Sequence, residues 1–345
     1  MVNLTIDGRE IAVEEGATIL NAAKLAGIKI PTLCYLERLN PIGSCRMCVV
    51  EIEGLPHPMT ACTTPVAEGI KVSTDSERLR NMRRETLKLI LVNHPLDCPI
   101  CDKGGECTLQ DLVYEFEIDA AEYRAEKKER GAIYATPLIR YWPDRCIMCL
   151  RCVAACREIK GLGAIDIVGS GYGAYISPVN KDTCESCGEC IKVCPTGALT
   201  ENLSRYKGRT WMVNRVKTTC AYCGCGCQLE LNTANNSIIG ITTKDGEGVN
   251  EGSLCVKGRF GYEFIGSEER LTRPLIKRDG KFHEATWDEA LNLVAERLGK
   301  IKATNGADAI AGLSSARCTN EENYLMQKFI RAVVGTNNID HCARL

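Results

Sequence analysis

Cysteine dominates the chemistry available to this chain. Its 345 residues include 22 cysteines but only 4 histidines. The tightest grouping is Cys146-x2-Cys149-x2-Cys152-x3-Cys156, followed by Cys184-x2-Cys187-x2-Cys190-x3-Cys194-Pro195. Three thiolates at such short intervals can wrap one face of a cubane, while the fourth cysteine of each run swings toward the other cluster. Cys146, Cys149, Cys152 and Cys194 are therefore expected to hold one [4Fe–4S] cluster, and Cys156, Cys184, Cys187 and Cys190 a second. The first run ends in Cys156-Arg157, where the bacterial ferredoxin pattern has proline. The alternative, a pair of four-cysteine zinc sites, usually joins two C-x2-C knuckles and does not call for three cysteines in tight succession.

Three further groups supply donors. Cys34-x10-Cys45-x2-Cys48-x13-Cys62 places three ligands on one long loop and returns the fourth from a later segment. Gly43 and Ser44 before Cys45 suit close approach of backbone amides to sulfide, so a [2Fe–2S] site is expected, with a zinc-stabilised β domain as the alternative. The spacing differs from the plant-type C-x4-C-x2-C pattern. His94-x3-Cys98-x2-Cys101-x5-Cys107 offers one imidazole and three thiolates, a set that by itself suits zinc as well as a [4Fe–4S] cluster. Its position between cysteine groups favours the cluster, and Gly104 and Gly105 would let the backbone approach it. Cys220, Cys223, Cys227 and Cys255 complete a fourth cubane. One [2Fe–2S] and four [4Fe–4S] clusters then take nineteen cysteines plus His94, leaving Cys225, Cys318 and Cys342 as small buried fillers. His57, His283 and His341 have no partner set and are read as surface or core residues. Lys257, two residues after Cys255, reads on spacing alone as a surface lysine. Clusters of this kind carry single electrons, so a series of them implies electron transfer.

The elements that must position these donors are legible in part. Val2, Leu4 and Ile6 alternate, Asp7-Gly8 signals a two-residue turn, and Ile11 and Val13 resume the alternation. With a helix over 17–26 this suits a β-grasp ferredoxin over residues 1–78. Asp75 or Ser76 can cap a helix bearing Leu79, Met82, Leu87 and Ile90, which opens a helical histidine- and cysteine-ligated domain over 79–120. The charged stretch 121–137 reads as a solvated linker or exposed helix. A two-[4Fe–4S] ferredoxin domain is expected over 138–205, a connecting strand over 206–217, and a further cluster domain over 216–271. From 272 to 345 the pattern becomes α/β, with helices over 287–301 and 320–334 and a strand over 309–313. Residues 305–345 then read as one strand and one helix with no sheet partner. The fold class is accordingly α+β and multidomain. Balanced charge (43 Lys+Arg against 44 Asp+Glu) argues against nucleic-acid binding. There is no run of about 20 apolar residues and no secretory or twin-arginine signal, so a cytoplasmic location is expected.

Taken together, the chain resembles the N-terminal part of the catalytic α subunit of cytoplasmic, molybdenum- or tungsten-dependent formate dehydrogenases. The first three modules are shared with the large subunit of respiratory NADH dehydrogenase and with iron-only hydrogenases. The cysteines of 220–255, Arg273-Pro274-Leu275 and Trp287-Asp288-Glu289-Ala290-Leu291 are similar to those of molybdopterin oxidoreductases. The segments 312–323 and 335–345 resemble formate dehydrogenases in particular. The resemblance implies a metal held by two molybdopterin guanine dinucleotides, oxidation of formate to CO2, and electrons leaving singly through the clusters. It implies that Lys257 lies between the nearby cubane and a pterin, on the electron path. It also implies that the metal-ligating cysteine or selenocysteine immediately follows the matched segment, so a UGA codon read as stop is expected after Leu345. The expected partner is an electron-accepting flavin/NAD-linked, ferredoxin or hydrogenase module. The alternatives are a stand-alone multi-cluster carrier and the large subunit of an NADH dehydrogenase.

Overall fold

The computed structural model describes residues 1–119 and 133–342. Most of the charged stretch 121–137 lies outside the described residues, and its last part is not linker but strand, within Ile133–Thr136. The chain divides into two compact units, Met1–Asn214 and Arg215–Leu345.

The first unit begins with a five-stranded mixed sheet. Strands β1 (Val2–Ile6) and β2 (Arg9–Val13) form the expected hairpin, with Asp7 and Gly8 at φ 49° and 78°. Both central residues are left-handed, as a type I′ turn requires, and its twist matches that of the strands. β1 also pairs in parallel with β5 (Lys71–Ser73), which pairs antiparallel with β3 (Val49–Ile52); β4 (Met59–Thr60) closes the other edge. Helix α1 (Ile19–Leu25) is capped by Thr18, which accepts from the Asn21 amide. It buries Ile19, Leu20, Ala22 and Ala23 together with Leu4, Ile6 and Val50 of the sheet. Each fully buried Ile or Leu contributes about 1.5–3 kcal/mol, so this apolar layer fixes where the loops that follow must emerge.

Ser76 caps helix α2 (Glu77–Asn93) by accepting from Leu79 N. The buried stripe is Leu79, Arg83, Leu87 and Leu91. The expected Met82 is instead 38% exposed, because i, i+4 spacing from Leu79 selects Arg83 for the inner face. Leu87 and Leu91 pack with Leu109 and Leu112 of α3 (Thr108–Glu115) and with Leu33 and Met47 from the first loop. Beyond this lie β6 (Ile133–Thr136), β7 (Ile139–Tyr141), β8 (Ile165–Val168), β9 (Tyr175–Pro178) and β10 (Leu199–Glu201), forming a β10-β7-β6 sheet and a β8–β9 hairpin. Two short helices, α4 (Arg151–Ala154) and α5 (Glu189–Val193), pack between them.

The expected strand over 206–217 is not what forms. A 3-10 turn spans Thr210–Met212, and strand β11 covers only Asn214–Thr219. The side chains explain it. Arg209 donates to the carbonyls of Cys101 (2.7 Å) and Pro99, and the Trp211 ring lies against Gly105, which bends the backbone off a strand path.

The second unit contains the β11-β12-β13 sheet, with β12 over Gln228–Ala234 and β13 over Ser237–Thr242. Helix α6 (Val256–Phe260) follows, then the hairpin of β14 (Leu275–Arg278) and β15 (Lys281–Glu284). Helix α7 (Trp287–Asn305) starts with a capping box between Thr286 and Glu289. The reading of 305–345 as unpartnered is overturned. Strand β16 (Gly312–Ser314) pairs in parallel with β17 (Ile339–His341), through helix α8 (Asn320–Lys328) and a π-helical turn over Phe329–Val334. Ile310, Ile330 and Val334 pack with Leu298, Met326 and Ile339. The second strand escaped the sequence pattern because three residues are too few to show an alternation.

Candidate metal centres

The first donor set sits at the end of the five-stranded sheet. Cys48 and Cys62 lie on either side of the β3–β4 pairing, and their sulfurs are 3.3 Å apart. Cys34 reaches this pair from the long loop and touches both Cys45 and Cys62. The four thiols share protons. Contact with Cys45 and Cys62 holds Cys34 down and contact with Cys62 holds Cys48 down, while contact with Cys34 pushes Cys45 and Cys62 up. Gly43 turns the loop at φ 65°, and a Cβ there would come 3.1 Å from Thr63. The buried Arg83 ties this loop down, donating to the carbonyls of Met47 (3.1 Å), Val49 (2.7 Å) and Thr74 (2.8 Å).

His94 ends α2, half-buried, with an extended backbone that starts the next loop. Cys98 begins a 3-10 turn, Cys101 follows it, and Cys107 occupies the position before α3. Burial pushes the Cys101 and Cys107 thiols up, and Cys107 feels Cys101 and Cys98 as its neighbouring thiols.

The two runs of the internal repeat share one backbone path. Met148 and Leu150 have φ 51° and 63°, and the residues at the same offsets in the second run, Ser186 and Gly188, have φ 51° and 71°. Alternating left-handed residues curl each loop so that its thiols face inward. Burial holds Cys152 well above the usual thiol range, and its nearest titrating neighbours are Cys194, Cys146 and Cys149. Cys190 is raised likewise, with Cys187, Cys184 and Cys156 beside it. Cys149 is pushed to about 12, again by burial first. The strongest thiol-on-thiol effects at these two buried cysteines thus come from Cys146, Cys149 and Cys194 for Cys152, and from Cys156, Cys184 and Cys187 for Cys190. Backbone amides point at two of the sulfurs, from Met148 to Cys146 (3.4 Å) and from Ala164 to Cys156 (3.3 Å).

In the second unit Cys220 closes onto Cys227 through an amide-to-carbonyl bond of 2.8 Å. Cys227, raised by burial, has Cys220, Cys225, Cys223 and Cys255 around it. Cys225 is therefore not a buried filler. It is exposed, and its backbone and thiol donate to Cys223, which they hold down ahead of the charges of Lys257 and Arg317. Flanked by Gly224 and Gly226, it sits in an exposed turn. Lys257 lies exposed on α6, two residues after Cys255. Cys318 and Cys342 are also exposed, on loops beside Ser315 rather than in the small core of that region.

Zinc at about 2.3 Å from four sulfurs would draw them to roughly 3.8 Å of one another. Among the described residues, no group of three or more His, Cys, Asp or Glu is arranged for a single ion. If a polynuclear iron–sulfide core were bound, its positive irons would reverse the proton preference that burial imposes on the thiols.

Comparison with known proteins agrees in class. Residues 1–77 match a 2Fe-2S iron-sulfur cluster binding domain, 83–122 an NADH-ubiquinone oxidoreductase-G iron-sulfur binding region, and 136–200 the ferredoxin-like domain of NADH-quinone oxidoreductase subunit 3. Residues 213–267 match the molybdopterin oxidoreductase Fe4S4 domain and 270–345 molybdopterin oxidoreductase itself. The chain is 47% identical over its whole length to NADPH-Fe(3+) oxidoreductase subunit alpha of Geobacter sulfurreducens, and covers 40% of that protein. It is 42% identical to the second G-type subunit of the NADH-quinone oxidoreductase of Rhizobium meliloti, again over all of this chain and 40% of the relative. A Staphylococcus aureus protein named "Putative formate dehydrogenase" is 33% identical over 99% of this chain and 39% of its own length. A chain of the crystal structure of an NAD+-reducing [NiFe]-hydrogenase in the H2-reduced state superposes with a TM-score of 0.56 at 30% identity, over 60% of this chain and 90% of that one. The chain spans about 40% of the length of these curated relatives.

The matched regions define a chain of iron–sulfur cluster binding domains that leads into the start of a molybdopterin oxidoreductase domain. Within that class it comprises a 2Fe-2S domain, 4Fe-4S binding regions and the start of a molybdopterin oxidoreductase domain, homologous to the G-type subunit of NADH-quinone oxidoreductase as well as to the staphylococcal protein. No helix among the described residues is long and apolar enough to cross a membrane.

Proposed function

We propose that the chain is the relay arm of a larger oxidoreductase, with a [2Fe–2S] cluster held by Cys34, Cys45, Cys48 and Cys62. Four [4Fe–4S] clusters would be held by His94 with Cys98, Cys101 and Cys107; by Cys146, Cys149, Cys152 and Cys194; by Cys156, Cys184, Cys187 and Cys190; and by Cys220, Cys223, Cys227 and Cys255. The observation that supports this reading is the matched geometry of the two runs, whose left-handed turns recur at the same offsets; the thiols acting most strongly on buried Cys152 are Cys194, Cys146 and Cys149, and those on Cys190 are Cys187, Cys184 and Cys156. Bound clusters store and pass single electrons. The chain's own residues exclude water around Cys152 and Cys190, and the amides of Met148 and Ala164 donate to sulfur, which favours the reduced state. Lys257, whose charge reaches Cys223, is proposed as the bridge between the last cluster and a pterin.

For the whole protein we propose formate/CO2 as substrate at a molybdenum or tungsten bis-molybdopterin guanine dinucleotide, with a partner subunit exchanging the electrons; the staphylococcal relative supports it. A second reading is favoured by the NADPH- and NADH-named relatives at 47% and 42% identity: electrons enter from a reduced pyridine nucleotide through a flavin-bearing partner. The test is metal analysis and viologen-linked turnover of the complete complex. About 18 irons per chain with molybdenum or tungsten and formate-dependent dye reduction would support the first reading. Dye reduction by NAD(P)H alone would favour the second, and zinc in place of iron would refute both.

A further inference from the structure

Gly197 lies three residues beyond Cys194, in the buried loop Cys194-Pro195-Thr196-Gly197. Its φ is outside the left-handed range, so nothing in its backbone calls for glycine. Its surroundings do. A Cβ at this position would stand 2.2 Å from Cys101 Sγ, 3.4 Å from Lys103 Cβ and 3.6 Å from Arg145 Cδ. The sulfur of one donor set thus rests on the backbone that leads directly from a cysteine of another.

Neither side of this contact can retreat. On one side, Thr108 N donates to Pro195 O (3.1 Å), and the Thr196 hydroxyl donates to Arg145 O (3.0 Å). Arg145 is itself buried and paired with Asp97. On the other side, Arg209 donates to the Cys101 carbonyl at 2.7 Å and to that of Pro99, while Trp211 covers Gly105. Cys101 is held between the Cys194 loop and this strap.

We infer that Gly197 is a positioning residue: the missing side chain lets the Cys101 sulfur sit directly against the Cys194 loop, placing the His94-containing centre in contact with the shell of the Cys146/149/152/194 centre. The inference rests on the cluster reading above. A methyl group at 197 would need sulfur and carbon to separate from 2.2 Å to ordinary contact, on the order of 1.5 Å of movement. That displacement is large against the tolerance of a metal–thiolate bond, which is a few tenths of an ångström.

The test compares wild type, Gly197→Ala and Gly299→Ala in the full chain purified without oxygen. Gly299 lies on α7, where a Cβ meets nothing within 4 Å. Gly197→Ala should lose about four irons of about 18 and one set of low-temperature EPR signals, with Cys98, Cys101 and Cys107 becoming open to alkylation. Gly299→Ala should keep the wild-type content. Full iron and unchanged spectra in Gly197→Ala would overturn this inference alone; an iron-free wild type would overturn the cluster reading with it. Should Gly197→Ala fail to fold, the same change in a Cys101→Ala chain decides. Recovery of folding there supports the contact, and equal failure overturns it.

Discussion

Arg83 offers the most quantitative test of how the first donor loop is held. It is only 3% exposed, and its guanidinium donates to three carbonyls from two segments, Met47 and Val49 on one and Thr74 on the other. Met47 and Val49 flank Cys48, so the bonds fix the loop on both sides of a candidate ligand. Burial lowers the Arg83 pKa, which means desolvation offsets part of what the bonds contribute. In Arg83→Met the apolar stem is retained but three buried acceptors lose their donor, at about 1–2 kcal/mol each. Returning the guanidinium's desolvation cost leaves a net loss of roughly 2–4 kcal/mol. For a unit of 214 residues that corresponds to a fall in Tm of about 5–15 °C. Calorimetry on the anaerobic chain reads the stability, and visible circular dichroism reads the [2Fe–2S] chromophore. Both should weaken together in Arg83→Met, whereas Arg78→Met, at an exposed ion pair, should change Tm by no more than about a degree. An Arg83→Met chain that melts and absorbs like wild type would show that the three bonds do not hold the loop.

Two other expectations concern the thiols. In iron-free protein, Cys149 has its folded pKa raised to about 12 by burial, above that of the unfolded chain, and Cys190 is raised as well. Above the unfolded thiol pKa the unfolded chain releases protons that the folded chain keeps. The stability these buried thiols contribute is therefore complete below about pH 9 and is lost as pH rises from there toward 12, at up to about 1.4 kcal/mol per pH unit for each thiol. Urea titrations between pH 8 and 11 check this, and a flat profile would contradict it; iron loading should remove the dependence. Cys190→Ala should cost about four irons and leave the N-terminal clusters oxidised when electrons are supplied from the pterin side, as read by freeze-quench EPR. Normal reduction of those clusters with this centre shown absent would exclude it from the path.

The matching turns of the two cysteine runs were legible in the sequence because they are local. In C-x2-C-x2-C-x3-C the chain between donors is so short that its curl is dictated by the spacing, and Met148, Leu150, Ser186 and Gly188 repeat the same turns in both runs. The hairpin at Asp7-Gly8 and a cap at Asp75 or Ser76 were equally readable, since each is settled within four residues. The inner face of α2 was read less well, because periodicity scores Met82 as apolar and cannot know that three carbonyls await an arginine beside it.

What composition and spacing determined is an inventory: which thiols and which histidine are available as donors, and the short intervals at which they recur. Tertiary structure alone decided what meets across long stretches of chain. It set the Arg209 side chain on a carbonyl 108 residues earlier, brought Gly197 against Cys101, paired β16 with β17, and left Cys225 at the surface. Such contacts come from packing whole modules together, where the identity of a neighbour depends on the fold of both partners. No local pattern encodes that, and a glycine needed for a close approach looks in sequence like any other glycine.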